Sequence, residues 1–218
     1  DLNNILVNSH NPGHYITLAE RAGFPLNSCA WIKGLYGVCM EEGIDTLLGV
    51  TGGDCSNTLM LVEVLKRRGL TTYSFAYPVK PDRQKMQTAL EELATTFGTT
   101  IAAAEAMKLE LKAAREAVLK LDEMTWRDNT VTGWENHLML VSSSDFNGNV
   151  YGYERDVLVI LEECRHRFPS PEDEIRLAYI GVPPVFARDL YRYIEETGAR
   201  VVFNEIQRQF AMPEPGTS

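Results

Sequence analysis

The sequence predicts an α/β protein made of two parallel-sheet lobes joined by a long helical segment. Three observations carry this. Short apolar runs, "IDTLLGVTGG", "LTTYSFAYPV", "IRLAYIGVPP" and "ARVVFNE", alternate with amphipathic stretches of helical period. That is the pattern of strand–helix–strand units with parallel pairing and right-handed crossovers. Glycine and proline close most of the runs, at "VTGG", "YPV" and "IGVPP". Between the two sets, "AAAEAMKLELKAAREAVLKLDEM" has no Pro or Gly and places apolar residues at three- and four-residue steps. Residues 1–80 are then a first lobe, 81–130 a helical linker and 131–218 a second lobe.

In order, the chain opens extended (Asn4-Ile5-Leu6-Val7) and turns at "NPGHY". Helices follow over 15–23, ended by Gly23, and over 28–42, stopped by "EEG". "IDTLLGVTGG" is a buried strand entering a glycine turn. "SNTLMLVEVLKRRG" is a helix capped by Ser56 or Asn57, with Leu59, Leu61, Val62, Val64 and Leu65 on its apolar face. "LTTYSFAYPV" is the next strand, stopped by Pro78 and Pro81. One long helix then packs on or between the lobes. "MTWRDNTVTGWENH" is a connector, and "HLMLVSSSDFNGN" reads as a strand ending in a polar loop. A helix over 154–167, the strand "IRLAYIGVPP", a helix over 185–197 closed by Gly198, and the strand "ARVVFNE" complete the second set. Four strand ends carry polar or glycine-rich loops: "VTGGDC", "VSSSDFNG", "YIGVPP" and "VVFNE". In doubly wound sheets such loops form the binding crevice, so all four are expected to face one cleft.

Composition narrows the function. A net charge of −9 over 218 residues argues against nucleic acid, whose binding needs clustered Lys and Arg. With 44% hydrophobic residues the chain is a folding one, yet no run of about 20 apolar residues suggests a membrane span. The sequence does not open on a basic stretch followed by an apolar core, so a cytoplasmic protein with reduced thiols is expected.

Cys29, Cys39 and Cys55 fall within 27 residues (29 to 55), and this clustering is the first sign of a site; Cys164 stands apart. "TGGDCSNT" lacks both the lysine of a nucleoside-triphosphate loop and the spacing of a dinucleotide fingerprint. The cysteine intervals of ten and sixteen residues do not suit a structural zinc site. Iron–sulfur clusters accept thiolates from separated loops, where helix termini and backbone N–H groups stabilise their negative charge. Cys29 and Cys55, each beside a helix start, suit that requirement. A cysteine nucleophile is the competing reading, with His10, His14, His137 or His166 as base. Cys39 falls on an apolar helix face, where a small buried hydrophobe is common, and Cys164 reads as helix filler. Ser142, Ser143 and Asp145 are explicable as the end of a strand, with Ser143 and Asp145 kept as catalytic candidates. Glu205 joins them, because a carboxylate at a buried strand end is costly unless paired.

At these residues the chain resembles a known family. "NSCAWIKGLYG" followed by "TGGDCSNT", with "LAYIGVPP" and "ETGARVVFNEIQRQF" later, resembles the 2-hydroxyacyl-CoA dehydratase D-component family, which also includes benzoyl-CoA reductase subunits. The run "CAWIKGLYG…VTGGDCSNT…WENHLMLVSSSDFNG" looks most like its single-subunit branch, which includes the double-cubane cluster proteins. The resemblance implies Rossmann-like (flavodoxin-like) lobes and an oxygen-sensitive iron–sulfur cluster, either 4Fe–4S or double-cubane 8Fe–9S. It implies a homodimer or heterodimer that receives low-potential electrons from an ATP-dependent iron–sulfur activator protein under anaerobic conditions. In the dehydratases one electron passes to a thioester carbonyl, and the ketyl radical expels a hydroxyl; the double-cubane branch reduces small molecules instead. Cys29 and Cys55 match the family's cluster cysteines, and Cys39 matches an additional ligand of the larger cluster. Members are usually longer at both ends, so the resemblance also implies a fragment, or a reduced homologue, whose second lobe is incomplete and whose cluster is short of ligands. The alternatives are a non-catalytic α/β binding or scaffold domain without a cluster, and a thiol enzyme using Cys55.

Overall fold

The structure, a computed structural model, describes residues 2–53 and 55–211, with side chains described up to residue 208. The chain runs α1 (Leu2–Asn8), α2 (Pro12–Arg21), α3 (Ala30–Glu41), β1 (Thr46–Gly52), α4 (Ser56–Arg67), β2 (Thr71–Ala76), α5 (Arg83–Thr96), α6 (Ile101–Glu110) and α7 (Lys112–Glu123). It continues through α8 (Gly133–Ser142), α9 (Val150–Arg165), β3 (Ile175–Tyr179), α10 (Ala187–Glu196), β4 (Ala199–Asn204) and α11 (Glu205–Ala211). It divides into two compact units. A cysteine unit holds Ser9–Leu109 together with Leu2, and a C-terminal unit holds Glu110 onward together with Asn3–Asn8. Both are α/β with parallel sheets, as the sequence predicts.

In the cysteine unit β1 and β2 pair in parallel, from Thr46 opposite Thr71 to Gly52 opposite Ala76, with a bulge between Val50 and Gly52. The crossover helix α4 buries Leu61, Val62 and Leu65, three of the apolar positions its period predicts. Leu61 and Leu65 join Ala19, Ile32, Tyr36, Cys39 and Leu70 in one core. Helices α2 and α3 touch backbone to backbone at Gly37, where a β-carbon would overlap the Tyr15 carbonyl group. Lys33, buried on α3, is held by Glu20 Oε1 at 2.6 Å and the Leu26 carbonyl at 2.9 Å.

In the C-terminal unit β3 and β4 pair in parallel, from Ile175 opposite Ala199 to Tyr179 opposite Asn204. Ala114, Val118, Leu121, Leu140, Val157, Leu161 and Cys164 form its main core. Arg200, 2% exposed, donates from Nη1 to the Thr125 and Val131 carbonyls and from Nε to Glu174. It thereby locks the connector after α7, a π-helical turn over Met124–Asp128 closed by left-handed Asn129.

Three segments differ from their sequence readings, each for a physical reason. The opening is helical, not extended: α1 buries Asn4, Leu6 and Val7, and Asn8 Nδ2 donates to the Asn4 carbonyl. The single long helix is three, because Gly98 at φ 68° ends α5 and α6 gives way to α7 at Leu111. "HLMLVSS" is helix α8, not a strand. Its buried residues Gly133, Asn136, His137, Leu140 and Val141 recur at three- and four-residue steps, and a Thr132–Glu135 capping box starts it. A short apolar run cannot by itself distinguish a strand from a buried helix. Helix α11 has no counterpart in the sequence reading.

Candidate functional site

Cys29 and Cys55 occupy equivalent places in the cysteine unit. Each is the residue immediately before a helix: Cys29 caps α3 and Cys55 caps α4, which pack against one another. The Cys29 carbonyl accepts from Lys33 N at 3.1 Å, and the Cys55 carbonyl accepts from Thr58 N at 3.1 Å, so both backbones already enter the helix. Both thiols are exposed. Neither helix has an acidic residue in its first turn. A helix N-terminus carries a partial positive charge that attracts a negative group brought to it. The Cys55 sulfur lies 3.9 Å from Thr58 Oγ1.

The glycines before Cys55 explain how the chain reaches this position. Gly49 faces Val62 of α4 so closely that a β-carbon would overlap its methyl group. At Gly52 a β-carbon would stand 2.8 Å from Ala76 Cβ, so β1 can end tight against β2. Gly53 then turns at φ 88°, a conformation that strongly favours glycine. Asp54, the next residue, lies outside the described residues.

The structure separates the third thiol of the sequence cluster from this pair. Cys39 lies ten residues along α3 from Cys29, about 15 Å at 1.5 Å per residue. It is 1% exposed, packed with Ile32, Tyr36 and Leu65, and burial pushes its thiol up to about 11. Cys164 is fully buried in the C-terminal unit's core, and burial raises its thiol as well.

The remaining candidates are in the C-terminal unit. Ser143 is fully buried and donates to the Leu140 carbonyl at 2.8 Å, ending α8. Asp145 caps the turn after α8, accepting from Asn147 N at 2.9 Å and from Asn4 Nδ2. Glu205 accepts from Gly181 N at 3.0 Å, tying the loop after β3 to the end of β4. The loop "VSSSDFNG" thus follows a helix, not a strand, and does not belong to a set of strand-end loops.

Sequence reasoning did not foresee a buried polar network here. His137, fully buried, stacks on Trp134 and lies with Nδ1 2.8 Å from Gln207 Nε2 and 3.4 Å from the Tyr191 hydroxyl. Tyr191 donates to Asn204, Asn204 donates to Asn136 at 2.7 Å, and Asn136 donates to Asp122 at 3.0 Å. Burial holds His137 down to about 3, so it is neutral at physiological pH and too weak a base to take a proton from a thiol. In the cysteine unit His14 lies 3.4 Å from Glu41. The signal that could have revealed the network was Asn136, His137, Asn204 and Gln207 at otherwise apolar helical and strand positions.

The fold and site together define an α/β protein that presents two exposed cysteines at the N-termini of two packed helices. A sequence model of the family described as 2-hydroxyglutaryl-CoA dehydratase, D-component, matches residues 5–217, and the chain belongs to that family. A comparison with curated proteins finds no match.

Proposed function

We propose that the chain is an iron–sulfur-cluster-binding redox component of the 2-hydroxyacyl-CoA dehydratase kind, with Cys29 and Cys55 as thiolate ligands. The observation that carries this is the placement of both exposed thiols at the starts of two packed helices in one unit. Thiolate sulfur at a helix start suits an anionic cluster chemically, so the pair fits part of a cluster's ligand set. It is not a full set: a cubane takes four ligands, and no group of three or more His, Cys, Asp or Glu side chains able to hold a metal occurs among the described residues. In this reading Cys39 contributes packing, not ligation, because its sulfur is buried far along α3.

A bound cluster would supply one-electron reduction at low potential, directed at a thioester or a small molecule. The chain's own residues hold the sulfurs in place: Gly52 and Gly53 turn β1 into the loop, and Lys33 with Glu20 fixes the first turn of α3. The electron donor that suits such a component is an ATP-dependent iron–sulfur activator, and a homodimer or heterodimer would be its working form. No helix among the described residues is long and apolar enough to cross a membrane. Anaerobic reconstitution with iron and sulfide tests the reading: a broad absorbance near about 400 nm is expected, absent in the Cys29→Ser/Cys55→Ser double variant. A folded protein that stays colourless, or a double variant as coloured as the wild type, would refute it.

A further inference from the structure

In the cysteine unit, the residue after β2 holds the chain on its way to Cys55. The Gly52 carbonyl accepts from Tyr77 N at 3.0 Å. The next residue, Gly53, lies against the Tyr77 side chain. A β-carbon there would stand 3.0 Å from Tyr77 Cδ2 and 3.1 Å from Tyr77 Cβ, so Tyr77 fills the space a side chain would need. The Tyr77 ring is itself set edge-on to Phe75 of β2, with 5.1 Å between centroids. Tyr77 is 49% exposed and lies outside the unit's core, so filling that core is not its role. These contacts use its ring and its backbone amide, not its hydroxyl.

Adjacent glycines have the widest choice of backbone conformation, and that freedom is lost when the chain is ordered. Gly52 and Gly53 stand three and two residues before Cys55, the N-cap of α4. Unrestrained, the pair would let the thiol leave the helix start, and ordering it would weaken whatever binds the sulfur. We infer that Tyr77 is a positioning residue for Cys55. It clamps the glycine pair, with its amide on Gly52 and its ring on Gly53, and so holds the thiol at the start of α4 in advance of binding. The consequence for a cluster rests on the reading of Cys55 as a ligand; the clamp itself does not.

The test compares Tyr77→Ala and Tyr77→Phe with the wild-type whole chain. In the cluster-free chain, hydrogen exchange followed by mass spectrometry should quicken over residues 50–58 in Tyr77→Ala. Exchange over residues 25–33, around Cys29, should stay at the wild-type rate, and Tyr77→Phe should match wild type in both segments. In the reconstituted chain, loss of cluster absorbance to EDTA should be about tenfold faster in Tyr77→Ala, the scale on which contacts behind a metal ligand act, and unchanged in Tyr77→Phe. If Tyr77→Ala does not fold, Tyr77→Val, which lacks the ring but suits a strand end, takes its place. Unchanged exchange over residues 50–58, an equal gain in both segments, or failure of Tyr77→Phe to restore it would overturn the inference. A wild-type chain that takes up no cluster would sink the functional reading alone, because the exchange measurement still decides the clamp.

Discussion

The two units build the same parallel strand–helix grammar and then use it in opposite ways. In the cysteine unit, β1 runs through glycines into Cys55 and an α4 whose first turn carries no acid. In the C-terminal unit, the loop after β3 is tied down by Glu205, and α10 carries Asp189 in its first turn. The first turn of α10 carries an acid of its own, and that of α4 carries an exposed thiol at its N-cap instead. The cores differ in the same sense: close backbone contact at Gly37 in one, a buried chain of hydrogen bonds from Asp122 to His137 in the other. The fold alone does not distinguish the units; what sets the cysteine unit apart is a pair of exposed thiols at helix starts.

This contrast can be broken by mutation. The largest expected effect is at Gly37, where Ala drives a methyl into the Tyr15 carbonyl; it should cost about 3 kcal/mol in urea denaturation, concentrated in the cysteine unit. A near-neutral result would mean that α2 and α3 are not closely packed. Acid should single out the other unit. His137 has a folded value of about 3, below its ordinary value of 6.5, so the unfolded chain binds the extra proton in between. Stability is therefore full above pH 6.5 and falls as the pH drops, by about 1.4 kcal/mol per unit, or roughly 2 kcal/mol at pH 5. Burial raises Asp122, an effect of opposite sign, so the difference between wild type and His137→Gln isolates the histidine. Hydrogen exchange at pH 5 should show the loss in the C-terminal unit; equal loss in both units would remove the distinction. The smallest effect is at Thr132, whose hydroxyl accepts from Glu135 N at 3.1 Å: Thr132→Ala should cost about 1 kcal/mol, read from the denaturation midpoint of the C-terminal unit.

Much of this organisation is legible in the sequence, and its failures are informative. The strands Thr46–Gly52 and Thr71–Ala76 and the crossover helix between them follow from alternating apolar runs and glycine, though the N-cap is Cys55 and not Ser56 or Asn57. Cys29 and Cys55 fall at helix starts because polar turns precede strong helical periods. Spacing cannot say whether a thiol on an apolar face points to a site or to a core; in the structure Cys39 is buried against Ile32 and Tyr36. The α8 segment misleads because "LMLV" is uniformly apolar, and only its longer run from Gly133 shows the helical step. His137 and Asn204 were illegible as a pair, 67 residues apart, because their meaning comes from tertiary contact.

The most direct measurement is iron and acid-labile sulfide bound per chain, after anaerobic reconstitution and desalting, in Cys29→Ser, Cys55→Ser and Cys39→Ser. Bound iron should collapse in the first two and remain at the wild-type level in Cys39→Ser, provided each variant keeps the wild-type circular dichroism. Loss of iron in folded Cys39→Ser, with retention in folded Cys55→Ser, would contradict the assignment of the helix N-termini as the cluster-binding site.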